Sequence, residues 1–146
     1  MKNGRATEAH VFLGVFKFGS DPEVVTALLQ LEPSDVIIPD SRMPGPPGTG
    51  GVTWKHERWV LASPAGTRAT IEDQLKALLP ILESRRDAII EASQRFEIGL
   101  MCAAYFRETN PGFHFDASLM ARIASLQLDL DFDLYCLGEP NDNSAA

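Results

Sequence analysis

The amino-acid sequence predicts an α+β fold of the ferredoxin-like kind, an antiparallel sheet with helices mainly on one face. Three observations carry this. Apolar residues recur with period 2 and then 3.6 in the order β-α-β-β-α-β, and a closing α-β unit extends the sheet. Two of the strand-like stretches are apolar on both rows, the mark of strands inside a sheet. Helix-capping residues stand where the period changes.

Residues 9–18 form the first expected strand, with His10, Phe12, Gly14, Phe16 and Phe18 on one side and Val11, Leu13, Val15 and Lys17 on the other. Ser20-Asp21-Pro22-Glu23 combines a capping side chain, a first-turn proline and an acid at the positive helix end, so a helix is expected over 22–31. Val25, Leu28 and Leu29 share its apolar stripe. A short strand follows at 36–38. Between Asp40 and Gly51 prolines and glycines crowd together, so a loop or hairpin connection is expected. Residues 52–63 read as a strand with Trp54, Trp59, Val60 and Leu61 as bulky cover.

Thr70-x-x-Asp73 opens a long helix to about residue 93, with Leu75, Leu78, Leu79, Leu82, Ile89 and Ile90 on its apolar face. Pro80 is expected to kink or split it, because proline lacks the N–H that the helix ladder uses. Residues 95–107 alternate as a central strand, Asn110-Pro111-Gly112 is a turn, and Asp116 caps a helix bearing Leu119, Ile123 and Leu126. The last strand spans 127–137. One domain over residues 1–138 and a loose polar tail at 139–146 are expected.

A net charge of −7 argues against nucleic acid as a partner, since phosphate backbones are gripped by clustered Lys and Arg. Acidity instead favours solubility, or a basic partner. No apolar run is long enough for a membrane helix, and none reads as a signal peptide. Cys102 and Cys136 both lie in apolar surroundings without a CxxC or a nearby His, and are expected as reduced core thiols of a cytoplasmic protein.

Two stretches resemble chemical motifs and fail on particulars. "GPPGTGGV", Gly45 to Val52, has the glycines of a phosphate-binding loop, but Gly51 and Val52 stand where the loop needs Lys and a hydroxyl. The motif must also open a helix, and the segment after it reads as a strand. "DLDFDL", Asp129 to Leu134, begins like a calcium loop, yet Leu134 and Pro140 occupy the positions of the obligatory Gly and Glu. Asp129, Asp131 and Asp133 therefore read as the wet face of a half-buried strand, about 7 Å apart. His10, His56 and His114 share no metal-ligand spacing. Neither metal nor cofactor is expected, and no complete catalytic set is present.

Several segments together resemble the bacterial domain of unknown function 4279 family. They are "DPEVVTALLQLEPSDV", "RWVLASP", "IEDQLKALLPILE", "FEIGLMCAAYF" and "NPGFHFDASLMARIASLQLDLDFDLYCL", of which the closing "LDFDLYCL" is the most specific. The resemblance implies a small cytoplasmic α+β domain and brings no activity, cofactor or catalytic residue with it. Where the family has a polar, often basic segment, this chain has "MPGPPGTGG".

The functional expectation is a non-enzymatic interaction module for an unknown protein partner, with a basic protein as its specific form and a homodimer as another outcome. The alternative is a small-molecule binding protein or enzyme with a pocket between sheet and loop. The candidate surface comprises Trp54, His56, Trp59, Tyr105, Asp129, Asp131, Asp133 and Tyr135.

Overall fold

Strand β1 (Ala6–Phe16) is the axis of the molecule, with β5 (Arg58–Ala62) antiparallel on one side and β6 (Glu97–Phe106) antiparallel on the other. The computed structural model describes residues 6–38, 42–43, 52–53, 56–107 and 112–137. At one edge β2 (Asp35–Ile37) pairs antiparallel with β5, and at the other β7 (Asp129–Cys136) pairs parallel with β6. The order β2-β5-β1-β6-β7 makes an open, mixed, five-stranded sheet. A separate two-stranded ladder joins β3 (Arg42–Met43) to β4 (Val52–Thr53). With helices α1 (Glu23–Leu29), α2 (Ile71–Glu83), α3 (Arg86–Arg95) and α4 (Ala117–Ser125), the fold is α+β.

The expected strand over 52–63 is in fact two strands in different sheets. Val52 and Thr53 pair with β3, whereas Arg58 to Ala62 pair with β1 and β2. Val52 thus belongs to a strand, not to the helix start that a phosphate loop requires. Most of the Pro/Gly stretch, the Asn110-Pro111 turn and the 139–146 tail lie outside the described residues.

Which row of β1 faces the helices is decided by packing. Ala9, Val11, Leu13 and Val15 enter the core with Trp59, Leu100, Cys102 and Ala104, against Val25, Leu29, Leu75, Leu78, Leu82, Ile89, Ala92, Leu119 and Ile123 from the four helices. Phe18 was expected on the opposite row, yet it is buried in this same core. Lys17 explains the switch: its φ of 57° ends the strand and turns the chain over.

Local signals place the helices. The Asp21 carboxylate accepts the Glu23 N–H at 3.0 Å, Thr70 Oγ1 accepts the Asp73 N–H at 3.0 Å, and Asp116 accepts the Leu119 N–H at 2.8 Å. Pro80 does not itself break α2, because it sits on the exposed side where its missing bond is solvated. The long helix divides one turn later, between Ser84 and Arg85, where Arg85 leaves helical geometry at φ −122°, ψ 36°.

One buried polar side chain completes the central strand. β5 pairs only with residues Phe12 to Phe16, so the backbone of β1 beyond it needs other partners. Gln74 supplies two of them, its Oε1 accepting the Val11 N–H at 3.0 Å and its Nε2 donating to the Ala9 carbonyl at 2.8 Å and also to the Ala69 carbonyl at 3.0 Å, while the Ser63 N–H and the Thr67 carbonyl pair with the Val11 carbonyl and the Ala9 N–H. The side chain of α2 thus acts as a short substitute strand and locks the helix to β1.

Candidate interaction surface

The opposite side of the sheet carries His10, Phe12, Gly14 and Phe16 from β1, and none of the four helices packs its buried stripe there. Register across the strands extends these into rows. Phe12 stands beside Ala62 and Met101, with Asp131 next in line; His10 leads through Ala103 to Asp133. Tyr105 lies beside Tyr135. An ideal Cβ on Gly14 would come within 2.9 Å of the Phe16 ring, so glycine lets that ring lie flat on the sheet.

Arg58 sits among these apolar groups. Its guanidinium lies 4.9 Å above the Phe12 ring, and its buried Nε has no hydrogen-bond partner among the described residues. Burial lowers the Arg58 pKa, an effect opposed by the nearby Asp35 carboxylate. Two hollows flank it. One of about 330 Å³ is bounded by Phe12, Phe16, Met101, Asp131 and Asp133. The other, about 450 Å³, is bounded by His10, Asp35, Ala62, Tyr105, Asp133 and Tyr135.

At the β7 edge the aromatics and acids interlock. Tyr105 and Tyr135 stack with centroids 4.9 Å apart and planes 10° from parallel, and His10 meets Tyr105 edge-on at 6.1 Å. His10 Nε2 is 2.6 Å from Glu8 Oε2. The negative charge of Asp133 raises the Tyr135 pKa above its usual value, assisted by burial and a hydrogen bond between the two. No ion pair among the described residues engages Asp129, Asp131 or Asp133. Nor do three His, Cys, Asp or Glu side chains converge among those residues as a metal set.

Of the residues singled out from sequence, Tyr105, Asp129, Asp131, Asp133 and Tyr135 share this face, all on β6 and β7. Trp59 does not: it is fully buried on the helix side, where its Nε1 donates to Thr26 Oγ1 at 3.0 Å. Its register opposite Val15 and Val36, both inward residues, fixes that orientation. His56 is exposed before β5 begins and bounds neither hollow, and Trp54 lies outside the described residues. His10, Phe12, Arg58 and Met101 belong to the face without having been singled out. The alternation of β1 marked the first two as neighbours, but both rows of that strand are apolar.

The two cysteines also part. Cys102 is in the core, where burial pushes its thiol up to about 12. Cys136, also expected in the core, is exposed near the end of the edge strand, where residues 131–137 are all exposed. No described helix is long and apolar enough to cross a membrane.

A five-stranded mixed sheet with helices packed on one side and an acidic, aromatic surface on the other defines a small α+β domain with an open sheet face. The family model described as "Domain of unknown function (DUF4279)" matches residues 7–137, and the chain belongs to that family. No curated protein and no solved structure matches it.

Proposed function

We propose that the domain is a non-catalytic protein-interaction module that takes a basic partner on the β6–β7 side of its open face. The observation that carries this reading is the alignment of Asp129, Asp131 and Asp133 on one face of an exposed edge strand, beside the stacked Tyr105 and Tyr135. Carboxylates so placed attract and orient a positive surface, and aromatics beside them supply contact area at low entropic cost. Two further readings accompany it. The order β2-β5-β1-β6 with antiparallel neighbours supports a ferredoxin-like unit extended by α4 and β7. The free thiols of Cys102 and Cys136 support a reducing, cytoplasmic setting.

The test compares the protein with its Asp129→Asn, Asp131→Asn, Asp133→Asn triple variant in binding purified basic proteins of the host. Binding that weakens both in the variant and in about 1 M salt, where the screening length falls to roughly 3 Å, supports the reading. Equal binding by the variant, or none by either protein, ends it.

A small-molecule reading is favoured by one observation, the unpartnered Arg58 Nε between two hollows. A ligand suited to it would offer an acceptor to Arg58 and a cationic or donor group to Asp131 or Asp133. Saturation-transfer NMR with zwitterionic amino acids and dipeptides tests this, with signals expected from the protein and lost in Arg58→Met. Absence of signals, or their persistence in the variant, removes it.

A further inference from the structure

We propose that the outer edge of β7 is a strand-addition site, which takes an extended segment of the partner whose basic and apolar residues alternate. This mode of binding rests on the reading of the domain as a module for a basic protein, and it specifies how such a protein is held.

The backbone of β7 supplies the template. The Leu137 N–H donates to the Phe106 carbonyl at 2.7 Å, so at the end of the ladder the odd-numbered position faces β6. Backbone groups alternate sides along a strand, which turns the N–H and C=O of Asp129, Asp131, Asp133 and Tyr135 inward to β6. The N–H and C=O groups of Leu130, Phe132, Leu134 and Cys136 therefore point outward. Among the described residues no strand pairs with that side, since β7 ends the sheet. A row of such groups is what an added strand satisfies.

The side chains state what the strand must look like. An incoming strand lies about 4.8 Å away, so its side chains stand directly beside those of β7 on each face. On the open face they meet Asp129, Asp131 and Asp133, and Lys or Arg is favoured there. On the helix face they meet Phe132, which is 42% exposed, and Leu134, 47% exposed. Apolar residues are favoured at those positions. A basic and apolar alternation matches both rows at once.

A second copy of the chain fits poorly. In an antiparallel β7 to β7 pairing that keeps the open faces continuous, a dyad at Phe132 sets Asp131 of one copy against Asp133 of the other. Like charges directly opposite destabilise a pair of strands. The same acids that reject self-pairing select a basic strand.

The probe is a capped Lys-Val alternating peptide matched to the 8 residues of β7. A block peptide of the same composition, and a Glu-Val alternating peptide, serve as comparisons. Affinity is read by fluorescence anisotropy, and hydrogen exchange is followed by NMR. Expected are preferential binding of the Lys-Val alternating peptide and slowed exchange at the Leu130, Phe132, Leu134 and Cys136 amides. Leu134→Pro, which removes one outward N–H, should weaken binding roughly tenfold, about the worth of one backbone bond. Leu134→Lys keeps the backbone intact, placing a charge in the apolar row, and should weaken binding several-fold should the proline variant fail to fold.

Equal affinity for the block peptide without amide protection would overturn strand addition while leaving a basic partner in place. Protection of the outward amides that grows with protein concentration alone would overturn it in favour of a second copy. No affinity for any basic peptide or basic protein would remove both this mode of binding and the reading on which it rests.

Discussion

The two faces of the sheet are made by the same strands and differ by a single register of side chains. On the helix side, Val11, Leu13, Val15 and Trp59 are sealed against all four helices. On the other side, Phe12, Phe16 and Arg58 are half-buried, while Asp131, Asp133 and Tyr135 are exposed. The covered face forms a single cluster of buried residues. The open face instead holds, among the described residues, a guanidinium nitrogen without a hydrogen-bond partner and a row of acids that no ion pair engages. One face is built for stability and the other tolerates unmet chemistry, so substitutions should separate them.

The largest effect is expected at Trp59. Trp59→Ala empties a fully buried ring site and strands Thr26 Oγ1, costing about 3–5 kcal/mol. Thermal melting should register a fall of roughly 2–4 °C for each kcal/mol. Tyr135→Ala on the open face should cost less than about 1 kcal/mol, and a similar loss for both would break the contrast between faces.

Gln74→Leu comes next. It keeps the volume of the side chain but leaves the Val11 N–H and the Ala9 and Ala69 carbonyls without their partner, at a cost of about 2–3 kcal/mol. Urea denaturation would show it as a lower midpoint with unchanged slope. A neutral result would mean that β1 does not depend on α2 for its missing ladder.

A smaller effect is expected across the outer side of the helical layer, where Arg122 grips Glu83 through two bonds of 2.9 and 2.7 Å. The hydrogen bond to Arg122 holds the Glu83 carboxyl below its ordinary 4.5. A depressed carboxyl contributes stability above its unfolded pKa and loses it as pH falls through the folded value. The difference between wild type and Arg122→Ala should therefore be at most about 1 kcal/mol at neutral pH, as both groups are partly solvated. Below pH 4.5 it should shrink, which paired urea titrations at several pH values would detect.

The smallest effect belongs to Arg58. Arg58→Met removes a desolvated charge that lacks an Nε partner and keeps a flexible stem over Phe12, so stability should be unchanged or rise slightly. A loss of more than about 1 kcal/mol in differential scanning fluorimetry would show that the open face contributes to stability in the same way as the covered one.

Much of the architecture was legible in the residues. Thr70 and Asp116 cap the helices expected of them, and the stripe of Leu75, Leu78, Leu79 and Leu82 is the stripe that is buried. Capping and periodicity are local, so they survive whatever the rest of the chain does. The division of the long helix at Ser84 and Arg85, rather than at Pro80, was not legible. It depends on which side of the helix meets solvent. The candidate surface was half legible: Asp129, Asp131, Asp133 and Tyr135 declare one face of β7 by alternation alone. Their alliance with Arg58 and His10 could not be read, because partners some 75 to 120 positions apart are joined only by strand register.

The amino-acid sequence by itself determined the starts of α1, α2 and α4, their capping residues and the two rows of β1, β6 and β7, for these arise from backbone geometry within a few residues. Only the tertiary structure decided which row is covered. Val11 and Phe12 are both apolar, and in isolation β1 has no reason to prefer either side. The preference arises when Trp59, Cys102 and Gln74, brought from distant segments, meet the odd row of β1 and leave the even row facing outward.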